Sequence, residues 1–375
     1  MLYILYATTI IYCLVRGKNN KYLWVWIALL QCVLSVTSKS YADLEGYTQI
    51  FNLANSGISL FLIKDWPIMW LGICKMLGLC GFNYRGMVLI ILVISTFLFH
   101  QYAKEFVKNK NTFWAMFLLF PALVNIVQLR FYLGTAIAVQ SLRYLSTKQE
   151  RKLWVIRYFA VIFLATMIHS SCIVFGLFIL TKLMEDKSNI KIVFSSVLGV
   201  VAFSLLTQYI PKIAALFIDS VRMNRYFYAG SSAMTLLGQI KVSILWVMGI
   251  VTMSYCIYSS KKYFEFYNTY NELYDKRSLF IMCMCGICIP LMAFDANFFR
   301  ILEFGYLITY VSVSNYLSNS FERIEEKGLL ILPKKSAIVF IGCIVILLFA
   351  TSTYAPKDSV IEPLFRYDGI VKILK

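Results

Sequence analysis

Charge is scarce in this chain, and acid is scarcest. Of 375 residues 15% are charged, with 19 acidic side chains against 36 basic ones, while 60% are hydrophobic and the mean hydropathy is +0.71. That composition excludes a water-soluble globule. Histidine is confined to His100 and His169. No Walker A lysine loop, GxGxxG turn, HExxH helix or GxSxG elbow occurs, so the signatures of an ATP-driven pump, a dinucleotide enzyme, a zincin and a serine hydrolase are missing. Internal repeats, low-complexity tracts and heptads are missing too.

What fills the chain instead is a series of apolar runs, each near the length that crosses a hydrocarbon core. They fall at 1–15, 22–37, 83–101, 113–127, 131–146, 153–168, 171–182, 192–208, 239–258, 279–294, 300–317 and 336–352. The reading is an all-α polytopic membrane protein of about 12 transmembrane helices, a single transmembrane domain over 1–375. The first run lacks a basic leader and a small-residue cleavage site before Arg16, and so reads as a retained span.

The formal charge of +17 points to insertion topology and anionic lipid, not to nucleic acid, because the cations flank the apolar runs. With both ends outside, lysines concentrate in the inner loops 16–21, 102–112, 147–152, 183–191, 259–278 and 318–335. The segment 66–80 is short, opens on Trp66-Pro67 and carries Lys75; letting it cross would move Lys104, Lys108 and Lys110 outside. It is therefore read as an amphipathic helix in the outer interface. The outer face then has a loop at 38–82 that includes this helix, a loop at 209–238 and a C-terminal tail at 353–375, and these build an extracytoplasmic cleft.

The ten cysteines lie in or beside apolar runs and read as small hydrophobes, not as a disulfide framework. Cys283, Cys285 and Cys288 have metal-like spacing but sit mid-span without a nearby histidine, so no metal or other cofactor is expected.

Arginine behaves differently from lysine. It divides evenly between the two sides, and Arg85, Arg130, Arg222, Arg225 and Arg300 collect at outer span ends with Asp43, Glu45, Tyr47, His169, Ser170, Tyr226, Asp295, Asn297 and Glu303. Cations kept against the positive-inside bias need either an anionic ligand or an interfacial anchoring role. A guanidinium fork suits the ligand reading, because it meets phosphate oxygens bidentately and keeps its charge in a partly dry site. His169 is a base or acceptor-orienting group, or a structural hydrogen-bonder; Asp295 and Asp43 compete with it as carboxylates. The run from Asp295 through Asn297 to Arg300 also fits a local ion pair or a helix cap. His100, at an inner end beside Lys104, is structural.

Several runs together resemble the EpsG/Wzy-type bacterial polysaccharide polymerases: QLRFYLGTAIAVQSLRYL around Arg130, ATMIHSS ending at Ser171, Asp43-x-x-x-Tyr47-x-x-x-Phe51, Asn224-Arg225-Tyr226, and FDANFFRILEFGYLITY around Arg300. The likeness covers nearly the whole chain. After Arg130 this sequence reads Phe-Tyr-Leu-Gly-Thr-Ala, where the family pattern is nearer Gln-Gly-Leu-Ala. The resemblance implies a metal-independent glycosyltransferase at the outer face of the bacterial cytoplasmic membrane. It would move a growing glycan from one undecaprenyl pyrophosphate onto a repeat unit carried by a second, alongside a flippase and a chain-length regulator. Arg130, Arg300, His169 and Asp295 would then carry the chemistry. Arg222, Arg225, Tyr226, Arg85, Asp43, Tyr47 and Asn297 would hold substrate. A flippase for the same lipid-linked glycan and an O-antigen ligase are the alternatives; the flippase would call for cations through the depth of a cavity and for repeated halves, and neither is visible.

Overall fold

The computed structural model describes residues 2–15, 19–38, 43–63, 66–146, 153–214, 233–263, 269–326, 334–355 and 357–365, and among these every regular element is helical. They form two compact units, Met1–Gly176 with Leu347–Lys375, and Leu177–Ile346. Hydropathy gives no sign of that division.

The first unit holds α1 (Leu2–Val15), α2 (Leu23–Thr37), α3 (Leu44–Asn55), α4 (Ile68–Leu79), α5 (Tyr84–Phe106), α6 (Lys110–Leu119), α7 (Ala122–Val127), α8 (Leu129–Ala138), α9 (Leu142–Ser146) and α10 (Leu153–Thr166). Its centre is the packing of α5 against α2 and α8. There the Phe99 and Tyr132 rings stack at 5.6 Å, and the fully buried Gln31 accepts hydrogen bonds from Thr96 Oγ1 at 2.9 Å and Tyr132 OH at 3.3 Å. Through its Oε1 Gln31 ties three helices together, while its Nε2 is buried without an acceptor.

The second unit holds α11 (Asn189–Leu206), α12 (Leu236–Tyr263), α13 (Thr269–Met284), α14 (Arg300–Glu326) and the first part of α15 (Lys334–Tyr354). Tyr306 OH on α14 donates to Leu245 O on α12 at 2.7 Å, and Trp246 Nε1 on α12 donates to Met282 O on α13 at 3.0 Å.

A helix stands at each expected apolar run, but three are long and apolar enough to cross a membrane: Tyr84–Phe106, Asn189–Lys212 and Leu236–Lys262. The middle one has 17% of its apolar window buried, against 50% and 44% for the others, so Phe194, Leu198 and Leu205 form an uncovered apolar face suited to lipid.

Several runs differ from a single straight helix, 131–146 and 279–294 through short 3-10 turns at Val139–Ser141 and Cys285–Ile287. The run 113–127 is broken because Pro121 has no N–H to continue the ladder: α6 ends at Leu119 and α7 starts at Ala122. Gln128, at φ −94° and ψ 55°, interrupts the chain again before α8. The short run 171–182 lies within Ser170–Met184, which is a 3-10 helix of 15 residues.

Within each unit, several segment ends meet. Asn19 Nδ2 donates to Lys108 O at 2.6 Å, and Arg143 pairs with Glu105 at 2.7 Å. Arg277 and Lys182 both pair with Glu185, at 2.5 and 3.1 Å. The charge-based reading puts all of these segment ends on one side. On the other, Arg85 Nη1 donates to Val36 O at 3.4 Å.

Candidate functional site

The most elaborated cation environment in the first unit surrounds Arg130, in the first turn of α8. Its guanidinium carbon lies 4.2 Å from the centroid of the Trp66 ring and 5.7 Å from that of Tyr47. The two rings meet edge to face at 5.8 Å, and Tyr47 also leans on Trp70 at 5.9 Å. The wall is supplied by the outer segment. Asn55 Nδ2 on α3 donates to Phe51 O at 2.8 Å and to Cys74 O on α4 at 3.2 Å. Gly78 makes that approach feasible, since a Cβ there would sit 2.0 Å from Asn55 Oδ1. Cys74 beneath the wall is buried, and burial pushes its thiol up to about 12 although the charge of Arg130 pulls the other way.

The electrostatics of this pocket are unbalanced. Among the described residues, Arg130 Nε is buried without a hydrogen-bond acceptor, and so is Nε1 of Trp70, whose ring leans on Tyr47. Orphaned buried groups cost about 1–3 kcal/mol each, more when charged. A cationic donor without an acceptor suits an oxygen-rich anion.

His169 is 7% exposed in the turn between α10 and the 3-10 helix. Its Nδ1 is 2.7 Å from Ser171 Oγ, and its ring meets Phe131 edge to face at 5.3 Å. Phe131 follows Arg130 in α8, so one helical turn supports both groups. Gly134, one turn further, lets the histidine turn approach: a Cβ there would lie 2.9 Å from Cys172 Sγ and 3.2 Å from His169 Cβ. Asp43, exposed, precedes α3 with φ at 67°, a left-handed conformation that aspartate tolerates better than most residues. Arg85 is exposed at the start of α5.

The second unit carries the other group. Asp295 is 3% exposed and accepts from Asn297 N at 2.8 Å, capping the 3-10 turn Ala296–Phe299 that leads into α14; this realises the helix-cap alternative. The Asn297 side chain is exposed. Arg300 opens α14, and Glu303 one turn later is fully buried. Arg222, Arg225 and Tyr226 lie outside the described residues. Cys283, Cys285 and Cys288 are buried free thiols, and among the described residues no three His, Cys, Asp or Glu side chains gather as for a metal ion.

Sequence reasoning missed Trp66 and Trp70 as parts of the Arg130 environment. A tryptophan in an outer loop reads as an interface anchor, whereas in the fold Trp66 lies against Arg130 and Trp70 backs Tyr47.

Fold and composition define the class, an all-helical protein built of apolar segments suited to a membrane. The EpsG family model matches residues 21–363, and the chain belongs to the EpsG family, a family of Wzy/EpsG-type polysaccharide polymerases. No curated protein and no solved structure matches the chain.

Proposed function

We propose that this protein is a membrane glycosyltransferase that polymerises undecaprenyl-diphosphate-linked oligosaccharide repeat units at the outer face of the bacterial cytoplasmic membrane. The observation that carries the reading is the Arg130 pocket. A guanidinium set between the Trp66 and Tyr47 rings, with its Nε lacking an acceptor, is equipped for phosphate oxygens beside sugar rings.

In the proposed reaction a hydroxyl of the acceptor repeat unit attacks the anomeric carbon of the donor glycan. The bond from that carbon to the diphosphate oxygen breaks, and the electron pair leaves on the diphosphate. Arg130 and Arg300 stabilise the charge that develops there, which is where electrostatic catalysis acts. Arg222 or Arg225, from the 209–238 loop, closes over it. His169 takes the hydroxyl proton or orients the acceptor, with Asp295 and Asp43 as competing carboxylates. Arg85, Tyr47, Tyr226 and Asn297 contact the glycan and its carrier. The setting is about twelve crossings with an outer cleft, no metal or cofactor, and a flippase and a chain-length regulator as working partners.

The test is reconstitution. Purified protein given only the lipid-diphosphate-linked repeat unit in detergent builds oligomers without nucleotide sugar, ATP or divalent metal, and EDTA leaves the rate unchanged. In proteoliposomes, translocation of the glycan with no chain growth would assign the protein to the flippase reading instead.

A further inference from the structure

Two acidic residues are buried among the described residues, Asp295 and Glu303, and they are treated very differently. Asp295 caps a helical turn. Glu303 has 0% exposure, and neither of its carboxyl oxygens has a hydrogen-bond partner. The hydroxyl of Tyr306, its neighbour on α14, is committed to Leu245 O at 2.7 Å, and Phe304 packs on Phe178 at 5.4 Å. A carboxyl stripped of water and left without a donor destabilises the fold, and an apolar side chain of similar size there would be neutral or better. Glu303 therefore does not earn its place through stability.

Arg300 lies one turn before Glu303 on α14. Residues three apart on a helix are surface neighbours, so a rotamer change of the long Arg300 side chain brings its guanidinium within reach of Glu303. The fork of a guanidinium matches two carboxyl oxygens as it matches two phosphate oxygens.

We propose that Glu303 is a dock for Arg300 that competes with the diphosphate: in the undocked arrangement seen in this structure the Glu303 oxygens have no partner, and Arg300 swings onto them as it gives up the departing anion. The inference rests on Arg300 as a diphosphate contact. Glu303 is then a positioning residue, and its role is to ease release of the leaving lipid diphosphate. No covalent bond changes in the step; one guanidinium exchanges one oxygen pair for another.

The experiment uses the full-length protein, inorganic pyrophosphate as a competitive probe, and turnover of the lipid-linked repeat unit. Glu303→Gln removes the competing charge, so pyrophosphate inhibits at about tenfold lower concentration, within the usual range for coupling between two ligands of one site. Both kcat and KM fall, as release slows and binding tightens. In the Arg300→Ala background Glu303→Gln changes neither quantity, because the competition needs both partners. Glu303→Leu keeps or raises the melting temperature. Unchanged pyrophosphate inhibition in Glu303→Gln, with Arg300→Ala still relieving that inhibition, overturns the dock alone. If Arg300→Ala itself leaves pyrophosphate inhibition and turnover at wild-type levels, the assignment of Arg300 to the diphosphate fails. Failure of both Glu303 variants to fold makes the carboxyl a structural element and also overturns the dock.

Discussion

The guanidinium of Arg130 lies over the ring of Trp66 with 4.2 Å between its central carbon and the ring centroid. Such a contact adds about 0.5–2 kcal/mol when partly desolvated, and it fixes the plane of the guanidinium as well as its place. Arg130→Ala should abolish polymer while the protein still inserts and folds, because a charge-assisted contact to the diphosphate is lost. Arg130→Lys should rescue poorly, since an ammonium is a point charge without a fork. Trp66→Ala should raise KM for the lipid-linked repeat unit several-fold, and Trp66→Phe should restore most of it. Wild-type chain lengths from Arg130→Ala, read on a polysaccharide gel, would reduce Arg130 to an interfacial anchor.

Gly134 carries a packing prediction. A side chain there would collide with Cys172 Sγ and press on His169 Cβ, with contacts of 2.9 and 3.2 Å already at the Cβ. Gly134→Val should cost about 1–3 kcal/mol through overpacking and displace the histidine turn, lowering both melting temperature and polymer yield. Adding Cys172→Ala should recover part of the melting temperature. Full stability of Gly134→Val would show that α8 and the histidine turn can separate without consequence.

Much of the fold was legible because hydrocarbon imposes length and composition together. Each apolar run became a helix. The break at Pro121 was written in the sequence, yet hydropathy averages across it. The site was less legible. Arg130 and His169 stood out by residue type and place, but Trp66 became part of the Arg130 environment only through the α3–α4 pairing that Asn55 and Gly78 allow. Glu303 gave no local signal beyond lying one turn after an arginine, since burial and missing partners are properties of the packed unit. Asp295 could be read as catalyst or cap, and spacing cannot separate the two.

Glu185 lies at the centre of the charge cluster in the second unit, and it should matter for stability, not chemistry. Its Oε1 accepts from Arg277 Nε at 3.0 Å and pairs with Lys182 Nζ at 3.1 Å, with the Arg277 side chain 5% exposed. Glu185 is part-buried, and removing it deprives the nearly buried Arg277 of one acceptor, at a cost of about 1–3 kcal/mol. Glu185→Ala should lower the melting temperature and the amount of protein in the membrane, with normal chain length from the fraction that folds. Glu185→Gln should fall between that variant and the wild type. Loss of activity from a fully folded Glu185→Ala would instead place this cluster in the working machinery.

The last prediction concerns the base. A neutral imidazole can accept a hydroxyl proton and an imidazolium cannot, so if His169 is the base, turnover falls on the acid side as the ring takes up a proton and rises again toward neutral pH. His169→Ala should lose about a hundredfold or more of kcat, the lower range for general-base catalysis, and the residual rate should no longer show that acid limb. Ser171→Ala removes the hydroxyl 2.7 Å from His169 Nδ1 and should shift the limb without abolishing activity, because the ring loses an orienting partner and not its function. His100→Ala should be near wild type, as His100 stacks on Trp24 at 5.4 Å at the opposite end of α5 from Arg85. An acid limb that survives in His169→Ala moves the base to a carboxylate. In that case Asp295→Asn, which keeps an oxygen to cap Asn297 N, separates Asp295 from Asp43: loss of the limb together with kcat identifies Asp295, and its persistence identifies Asp43.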